Sequence, residues 1–248
     1  MATKTETKAS SGKLKFKTVL FKVSGEALMG DQEFGIDPKT TARIAGDIAE
    51  AVKMGARIGL MVGGGNIFRG VSLAAKGADR VSGDHMGMLA TVMNAIAMKM
   101  ALNEQGVDAV ILSAIELSTF CETFTQRGLD THLAEGRVVV FAGGSGHPFF
   151  TSDTPAALRA CEMKADAIIK GTQVDGIYSA DPKTNPDATR YDSITYSDFL
   201  SKGLKVMDTS AVALARDQNI SIIVFSLKEK GGFAKILAGK GKYTIVTK

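Results

Sequence analysis

Apolar residues along the chain fall into short continuous blocks separated by stretches of helical period. The blocks at 18–23, 56–62, 108–112, 137–141, 166–170 and 220–225 are nearly unbroken, as expected of strands buried on both faces of a parallel sheet. A last block, 243–247, reads as one further strand. Between the blocks the period changes. Asp37-Pro38 opens a helix as cap and first-turn proline, Ile44, Ile48 and Val52 form its buried stripe, and Gly55 closes it. A long helix is predicted from about 86 to 105, ending at Gly106. Its methionines (Met86, Met88, Met93, Met98, Met100) read as core or subunit interface. Residues 71–84 read as loop, and 113–135 as mixed with a short helix at 130–135. A helix with Pro155 at its start is expected to turn Leu158 and Met163 inward. Shorter helices are predicted at 197–201, 211–217 and 233–237, and 175–192 reads as a long functional loop. Repeated β-α alternation predicts an α/β fold, an open and mostly parallel sheet with helices on both faces.

Three strand ends carry chemistry suited to phosphate. The block 56–62 stops on Gly63-Gly64-Gly65, followed by Asn66-Ile67-Phe68-Arg69. Three glycines cost backbone entropy, so either positive φ or a close approach of backbone must require them. Bare N–H groups at a strand end make an anion cradle, and Arg69 adds a planar fork of donors. The strand 137–141 likewise runs into Gly143-Gly144-Ser145-Gly146-His147 and then a helix start at Thr151-Ser152-Asp153. The first strand ends at Lys22-Val23-Ser24-Gly25, and 166–170 ends at Lys170 before Gly171-Thr172. Each lysine has a plain reading, snorkelling at a sheet end, beside a functional one, a cation aimed at phosphates. Asp84, near the long helix's start, reads either as a cap or as an acceptor for ligand hydroxyl or base donors. Ligands of parallel α/β sheets bind outside the strand C-termini, so the three ends at 22–25, 63–69 and 143–154, with Lys170 besides, favour the functional readings.

Composition narrows the field without deciding it. At 248 residues, 45% hydrophobic and 23% charged, the chain has the make-up of a globular protein with a sizeable core. The net charge of +4 owes much to five lysines before the first strand, so no basic face for nucleic acid is indicated. Two cysteines, Cys121 and Cys161, form no metal-ligand spacing and suggest a reducing compartment. No block reaches membrane-spanning length, and the polar N-terminus lacks the apolar centre of a signal peptide, which makes the cytoplasm the expected location. Residues 1–15 are expected to form a flexible arm and 16–248 a single domain. P-loop, dinucleotide and nucleophile-elbow signatures are absent. Lys22, Lys170, Arg69 and several aspartates instead suit phosphoryl transfer, which needs charge stabilisation and in-line positioning more than covalent help. Lys22 and Lys170 would flank the transferred group, and Asp153 would orient the lysines or carry Mg²⁺.

The residues Lys22-Val-Ser-Gly-Glu26, Gly63-Gly-Gly-Asn-Ile-Phe-Arg-Gly70, Gly146-His-Pro-Phe-Phe-Thr-Ser-Asp-Thr154, Val174-Asp-Gly-Ile-Tyr178 with Asp181-Pro182, and Leu204-Lys-Val-Met-Asp208 resemble those of bacterial uridylate kinases in the amino acid kinase superfamily. The likeness extends from about Lys17 to Thr247. It implies an αβα sandwich, an acceptor-binding half over about 16–160, an ATP-binding half over about 161–248, and Mg²⁺-dependent transfer from ATP to UMP in pyrimidine nucleotide biosynthesis. It also implies a homohexamer, with GTP as a candidate activator and UTP as a candidate inhibitor. Carried over by position, Lys22, Val23, Ser24, Gly25, Gly65, Arg69, Thr172, Tyr178 and Asp181 would serve ATP. Gly64, Asp84, Ser145, Gly146, His147, Pro148, Phe149, Phe150, Thr151 and Ser152 would hold UMP, and Lys22, Arg69, Asp153 and Lys170 would carry the transfer. No protein ligand to the metal is assigned, the ion arriving with ATP. Asp153 and Asp208 match acidic positions of the family, with a structural role open for Asp208.

The family loop commonly reads Gly-Thr-Gly-Asn-Pro-Phe-Phe-Thr-Thr, whereas here Ser145, His147 and Ser152 stand at three of its positions. Both serines keep a hydroxyl. His147 keeps a donor and introduces imidazole, a side chain able to make acceptor binding pH-sensitive. The region between Val107 and Arg137 varies among such enzymes, so Arg127 and Arg137 stand as candidate effector contacts only. A sister kinase acting on carbamate or an amino acid, and a non-catalytic storage protein on the same scaffold, are the competing readings. The loop 145–152 argues against the first, and the intact Lys22, Arg69, Asp153 and Lys170 against the second.

Overall fold

The computed structural model describes residues 14–68, 77, 79–182 and 184–248. Arg69 and the first 13 residues, most of the expected arm, therefore lie outside the described residues. The last two residues of that expected arm do not behave as an arm: Leu14 packs on the core, and the Lys15 N–H donates to the Leu237 carbonyl at 2.8 Å.

The first strand, β1 (Thr18–Val23), is buried along its whole length and sits at the middle of the sheet. It pairs in parallel with β2 (Arg57–Val62) on one side and β6 (Ala167–Thr172) on the other. Beyond β2 come β5 (Val138–Ala142), β3 (Ala109–Ser113) and the short β4 (Glu122–Thr123). Beyond β6 come β10 (Ser221–Ser226), β11 (Tyr243–Thr247) and β9 (Ser193–Thr195). Only β10 and β11 pair antiparallel in this nine-stranded sheet. A separate two-stranded hairpin, β7 (Ile177–Tyr178) with β8 (Arg190–Tyr191), gives form to the predicted long loop.

Two apolar layers cover the sheet. On one face Phe21, Ile58 and Ile169 meet α1 (Pro38–Lys53), α2 (Arg80–Glu104) and α7 (Gly232–Leu237). On the other, Leu20, Met61 and Ile168 meet α3 (Gln126–Ala134), α4 (Asp153–Glu162), α5 (Tyr196–Ser201) and α6 (Thr209–Asp217). The alternation Leu20/Phe21 and Ile168/Ile169 is the period-two rule at work, and the predicted αβα architecture follows from it.

The helices depart from expectation in three places. The long helix starts at Arg80, not 86, because Asp79 accepts from the Ser82 N–H at 2.7 Å and caps it, so the end of the expected loop is helical. The predicted 130–135 helix starts earlier, at Gln126, where Thr125 caps it through the Gly128 N–H. In α4, Leu158 is exposed rather than inward, although Asp153, Pro155, Ala156, Ala157, Arg159 and Ala160 around it are buried, while Met163 is buried as expected. The methionines of α2 divide, with Met88 and Met98 in the core and Met86, Met93 and Met100 exposed together with Leu89.

Candidate active site

β1 and β6 run side by side, and their register sets Lys22 directly beside Lys170. Both follow Leu20 and Ile168 by two residues, so both point to the face covered by α4. Two neighbouring ammonium groups, 5% and 9% exposed, would repel strongly if left alone. Asp153, the first residue of α4, lies between them. Its Oδ1 is 2.6 Å from Lys22 Nζ, and its two oxygens accept from Lys170 Nζ at 3.0 and 2.8 Å. Lys170 also donates to the Val206 carbonyl at 2.5 Å, and the Asp208 N–H reaches Asp153 Oδ2 at 3.3 Å. Burial alone would raise the Asp153 carboxyl, but the two ammonium groups outweigh it and hold the group below its ordinary value. Burial, reinforced by repulsion from Lys22 and opposed by Asp153, lowers Lys170 to about 8.

Gly63, Gly64 and Gly65 are not among the glycines at positive φ; Gly63 and Gly64 answer to close approach, whereas a Cβ on Gly65 would meet open space. A Cβ on Gly64 would lie 2.7 Å from the Gly87 carbonyl of α2. One on Gly25, just past β1, would lie 2.5 Å from both the Gly63 carbonyl and Asn66 Oδ1. Side chains cannot be added where three backbones meet so tightly. A buried amide pair locks the arrangement: Asn66 and Asn94 exchange side-chain hydrogen bonds at 2.9 and 2.7 Å, and Asn94 also donates to the Gly63 carbonyl at 2.6 Å.

The loop after β5 turns by left-handed residues. Gly143, Gly144 and Gly146 have φ of 74, 58 and 79°, and Phe149 joins them at 73°. Thr91 of α2 accepts the Gly143 N–H at 2.9 Å, and Ser145 Oγ closes a turn with the His147 backbone at 3.2 Å. Thr151 Oγ1 accepts the Asp153 N–H at 3.2 Å and donates to Asp208 at 2.5 Å, so the end of this loop is tied to the Lys-Val-Met-Asp segment. That tie gives Asp208 a structural contact; no side-chain cap bond from it to α6 is present. Asp84 is not the cap of α2. Its Oδ2 accepts the Phe149 N–H at 2.7 Å, and Arg80 Nε donates to both its oxygens.

These segments enclose a cleft of about 540 Å³ over the C-terminal ends of β1, β2 and β5. Of the residues expected from sequence, Lys22, Ser24, Gly25, Gly64, Gly65, Asp84, Ser145, His147, Phe150, Thr151 and Ser152 line it. Val23 is buried in β1 below, Asp153 and Lys170 lie beneath the floor, and Gly146, Pro148 and Phe149 belong to the loop without lining the cleft. Thr172, Tyr178 and Asp181 are not brought to it. Thr172 donates to the Val174 carbonyl at 2.6 Å, Tyr178 donates to Asp175 at 2.6 Å, and Asp181 is exposed beyond β7. Arg80, Gly87 and Thr91 line the cleft too, and sequence reading missed them. An earlier start for α2, signalled by Asp79 with Ser82 three residues on, would have found Arg80. Of the two candidate effector contacts, Arg127 is exposed on α3, and Arg137 is engaged by Asp108 and Glu135 at 2.8 and 2.6 Å and by His132 at 2.9 Å. Among the described residues, no three His, Cys, Asp or Glu side chains group as a metal cage, and both Asp153 oxygens are engaged by ammonium.

The cleft thus offers strand-end backbone, two lysines held by one carboxylate with Lys22 reaching the lining, and a glycine-turned loop opposite an acidic side chain. That chemistry suits an anionic ligand that also carries hydroxyl groups. Comparison with known proteins agrees. Residues 17–226 match the amino acid kinase family. A uridylate kinase of Agrobacterium fabrum is 64% identical over 95% of this chain and 98% of its own length. A uridylate kinase of Rhizobium meliloti is 62% identical over 96% and 99%. Among solved structures, UMP kinase from Bacillus anthracis superposes with a TM-score of 0.90 at 35% identity, covering 94% of this chain and 96% of that one. UMP kinase from Ureaplasma parvum gives 0.89 at 36% identity, covering 94% and 99%. The chain belongs to the amino acid kinase family and, within it, to the uridylate kinases.

Proposed function

We propose that this chain transfers the γ-phosphoryl group of ATP to UMP, giving ADP and UDP for pyrimidine nucleotide synthesis, and that the cleft above β1, β2 and β5 is where acceptor and γ-phosphate meet. A phosphate oxygen of UMP attacks the γ-phosphorus in line, the bond from that phosphorus to the β,γ-bridging oxygen breaks, and ADP leaves with the electron pair. The attacking oxygen is already anionic, so no general base is needed; the protein must neutralise and align. The observation that carries this reading is the pair Lys22 and Lys170 held side by side by Asp153 at the end of two central strands. Lys22, which reaches the cleft lining, would stabilise charge on the moving group, with Lys170 adding positive potential from below and Asp153 fixing both ammonium positions.

On the ATP side the reading takes Lys22, Val23, Ser24, Gly25 and Gly65 as the strand-end cradle, with Thr172, Tyr178 and Asp181 from the chain's second half. On the acceptor side it takes Gly64, Asp84 and residues 145–152. Arg69 is assigned to phosphates of both nucleotides from its place in the sequence. Mg²⁺ brought with ATP would supply further charge neutralisation. Both Asp153 oxygens already face ammonium groups, which supports a metal carried by nucleotide rather than by the protein. The protein is proposed to work in the cytoplasm as a homohexamer, with GTP and UTP as candidate regulators. The exposed Met86, Leu89, Met93 and Met100 recur along one side of α2 and support self-association through that helix.

The test is ADP release from Mg-ATP with UMP, CMP, dUMP, carbamate or aspartate supplied singly. Turnover with UMP and not with carbamate or aspartate is expected. ATP binding without turnover of any acceptor would overturn the enzyme reading in favour of a binding or storage role.

A further inference from the structure

We infer that Arg80 is a positioning residue for acceptor recognition: it fixes the carboxylate of Asp84 and clasps the acceptor loop against the start of α2. The inference rests on the reading of Asp84 as an acceptor-side residue. Arg80 and Asp84 stand four apart in the first turns of α2, on the same helix face, and both line the cleft. Arg80 Nε lies 2.9 Å from Oδ1 and 2.8 Å from Oδ2, so one planar donor straddles the carboxylate and sets its plane. From the other side, the Phe149 N–H reaches Oδ2 at 2.7 Å. The Arg80 guanidinium carbon also lies 5.9 Å from the centre of the Phe149 ring. Phe149 is the one loop residue here that holds a left-handed backbone, φ 73°, without being glycine. A side chain in that region needs a neighbour to hold it there, and the Arg80–Asp84 pair supplies one.

Counting acceptor positions sharpens the inference. An ionised carboxylate offers about four lone-pair directions. Arg80 takes one on each oxygen, and Phe149 takes the second on Oδ2. Among the described residues, Oδ1 therefore keeps one open direction, at a side chain only 12% exposed. Asp84 in this arrangement can accept from one ligand hydroxyl, in a direction set by Arg80. Without Arg80 the carboxylate can turn about its own torsion, the Phe149 tie loosens, and the acceptor meets an unfixed partner. The effect belongs to acceptor binding, because Arg80 makes no contact with Lys22, Asp153 or Lys170.

The experiment is steady-state kinetics of the full chain and of Arg80→Gln and Arg80→Lys, varying UMP and ATP separately. Loss of one charged hydrogen bond to an acceptor-side group should raise KM for UMP about 10-fold to 100-fold. KM for ATP and kcat should each move less than about threefold, since neither depends on the clasp. Arg80→Lys, which keeps the charge but not the planar fork, should recover part of the UMP affinity. A UMP KM unchanged in Arg80→Gln, in protein whose melting matches the parent, overturns the inference. So does an equal loss in KM for both nucleotides, which would mark a merely structural role. Absence of UMP turnover in the parent chain would instead overturn the functional reading, and this inference with it.

Discussion

At the floor of the cleft and just beneath it, Lys22, Asp153 and Lys170 are 5%, 6% and 9% exposed, whereas at the rim Phe149 and Phe150 are 65% and 50% exposed. The floor groups sit on strands and on a helix start, and their positions follow from sheet register and ion pairing. The rim is a loop of left-handed residues tied down by Asp84, Thr91 and Asp208. The difference separates two tasks. Charges that must meet a transferring phosphoryl group gain from a rigid, water-poor setting, where each is worth more. A surface that must admit and release a nucleotide needs exposed backbone and ties that can be remade.

The largest effect should come from breaking the floor at its shared member. Asp153→Asn leaves two buried lysines facing each other without a carboxylate. An uncompensated buried charge costs on the order of 3–5 kcal/mol, so denaturant midpoints should fall sharply. Turnover with UMP should fall about 10²–10³-fold or more, because both ammonium positions are lost together. Urea unfolding and kcat measured on the same preparation check this. A stable, active Asp153→Asn protein would mean that the lysines do not need their common partner.

Next comes the titration of Lys170, which moves activity and stability in opposite directions. Its folded value, about 8, lies below the ordinary lysine value of 10.5. Below about 8 both folded and unfolded chains carry the proton, and the cost of burying the charge is fully present. Between about 8 and 10.5 the unfolded chain binds a proton that the folded chain has released, so this group's contribution to stability rises with pH. If the ammonium form supports transfer, kcat/KM for ATP must fall as pH rises through about 8. Lys170→Met should lose the alkaline rise in stability relative to the parent and show a low rate that no longer falls in that window. A parent rate that is flat from pH 7 to 9.5 would remove Lys170 from the charge economy of the reaction.

The same contrast explains what could be read in advance. Floor residues were legible because a lysine near the end of a continuous apolar strand is chemically odd, and β1 and β6 each carry one there, Lys22 and Lys170. The glycine runs announced the loops after β2 and β5. Their reasons differed: after β2 the need is space, at Gly64 against α2, and after β5 it is left-handed backbone, at Gly143, Gly144 and Gly146. One string of glycines does not tell these apart, since both remove a Cβ. The rim was less legible because its ties join residues far apart in sequence. Asp84 to Phe149 and Thr151 to Asp208 are tertiary pairs without a local pattern. Leu158 went wrong for a related reason. In α4 the buried positions are filled by Asp153, Pro155, three alanines and Arg159, so the large apolar residue does not mark the core side.

The smallest expected effect tests how far the rim tolerates change. His147 lines the cleft, but its side chain is not what closes the local turn; that is done by its own backbone with Ser145 Oγ. His147→Asn should therefore leave the turn intact and keep a donor at the position, moving KM for UMP less than about threefold. The comparison is made at pH 6 and pH 8, in parent and variant side by side, so that titration of the UMP phosphate cancels. Affinity that weakens toward pH 8 in the parent alone would give the imidazole the titrating role expected from sequence. Equal pH dependence in both proteins would reduce His147 to a neutral exchange within the loop. A loss much larger than threefold would show that the rim, like the floor, is held by individual side chains rather than by its backbone path.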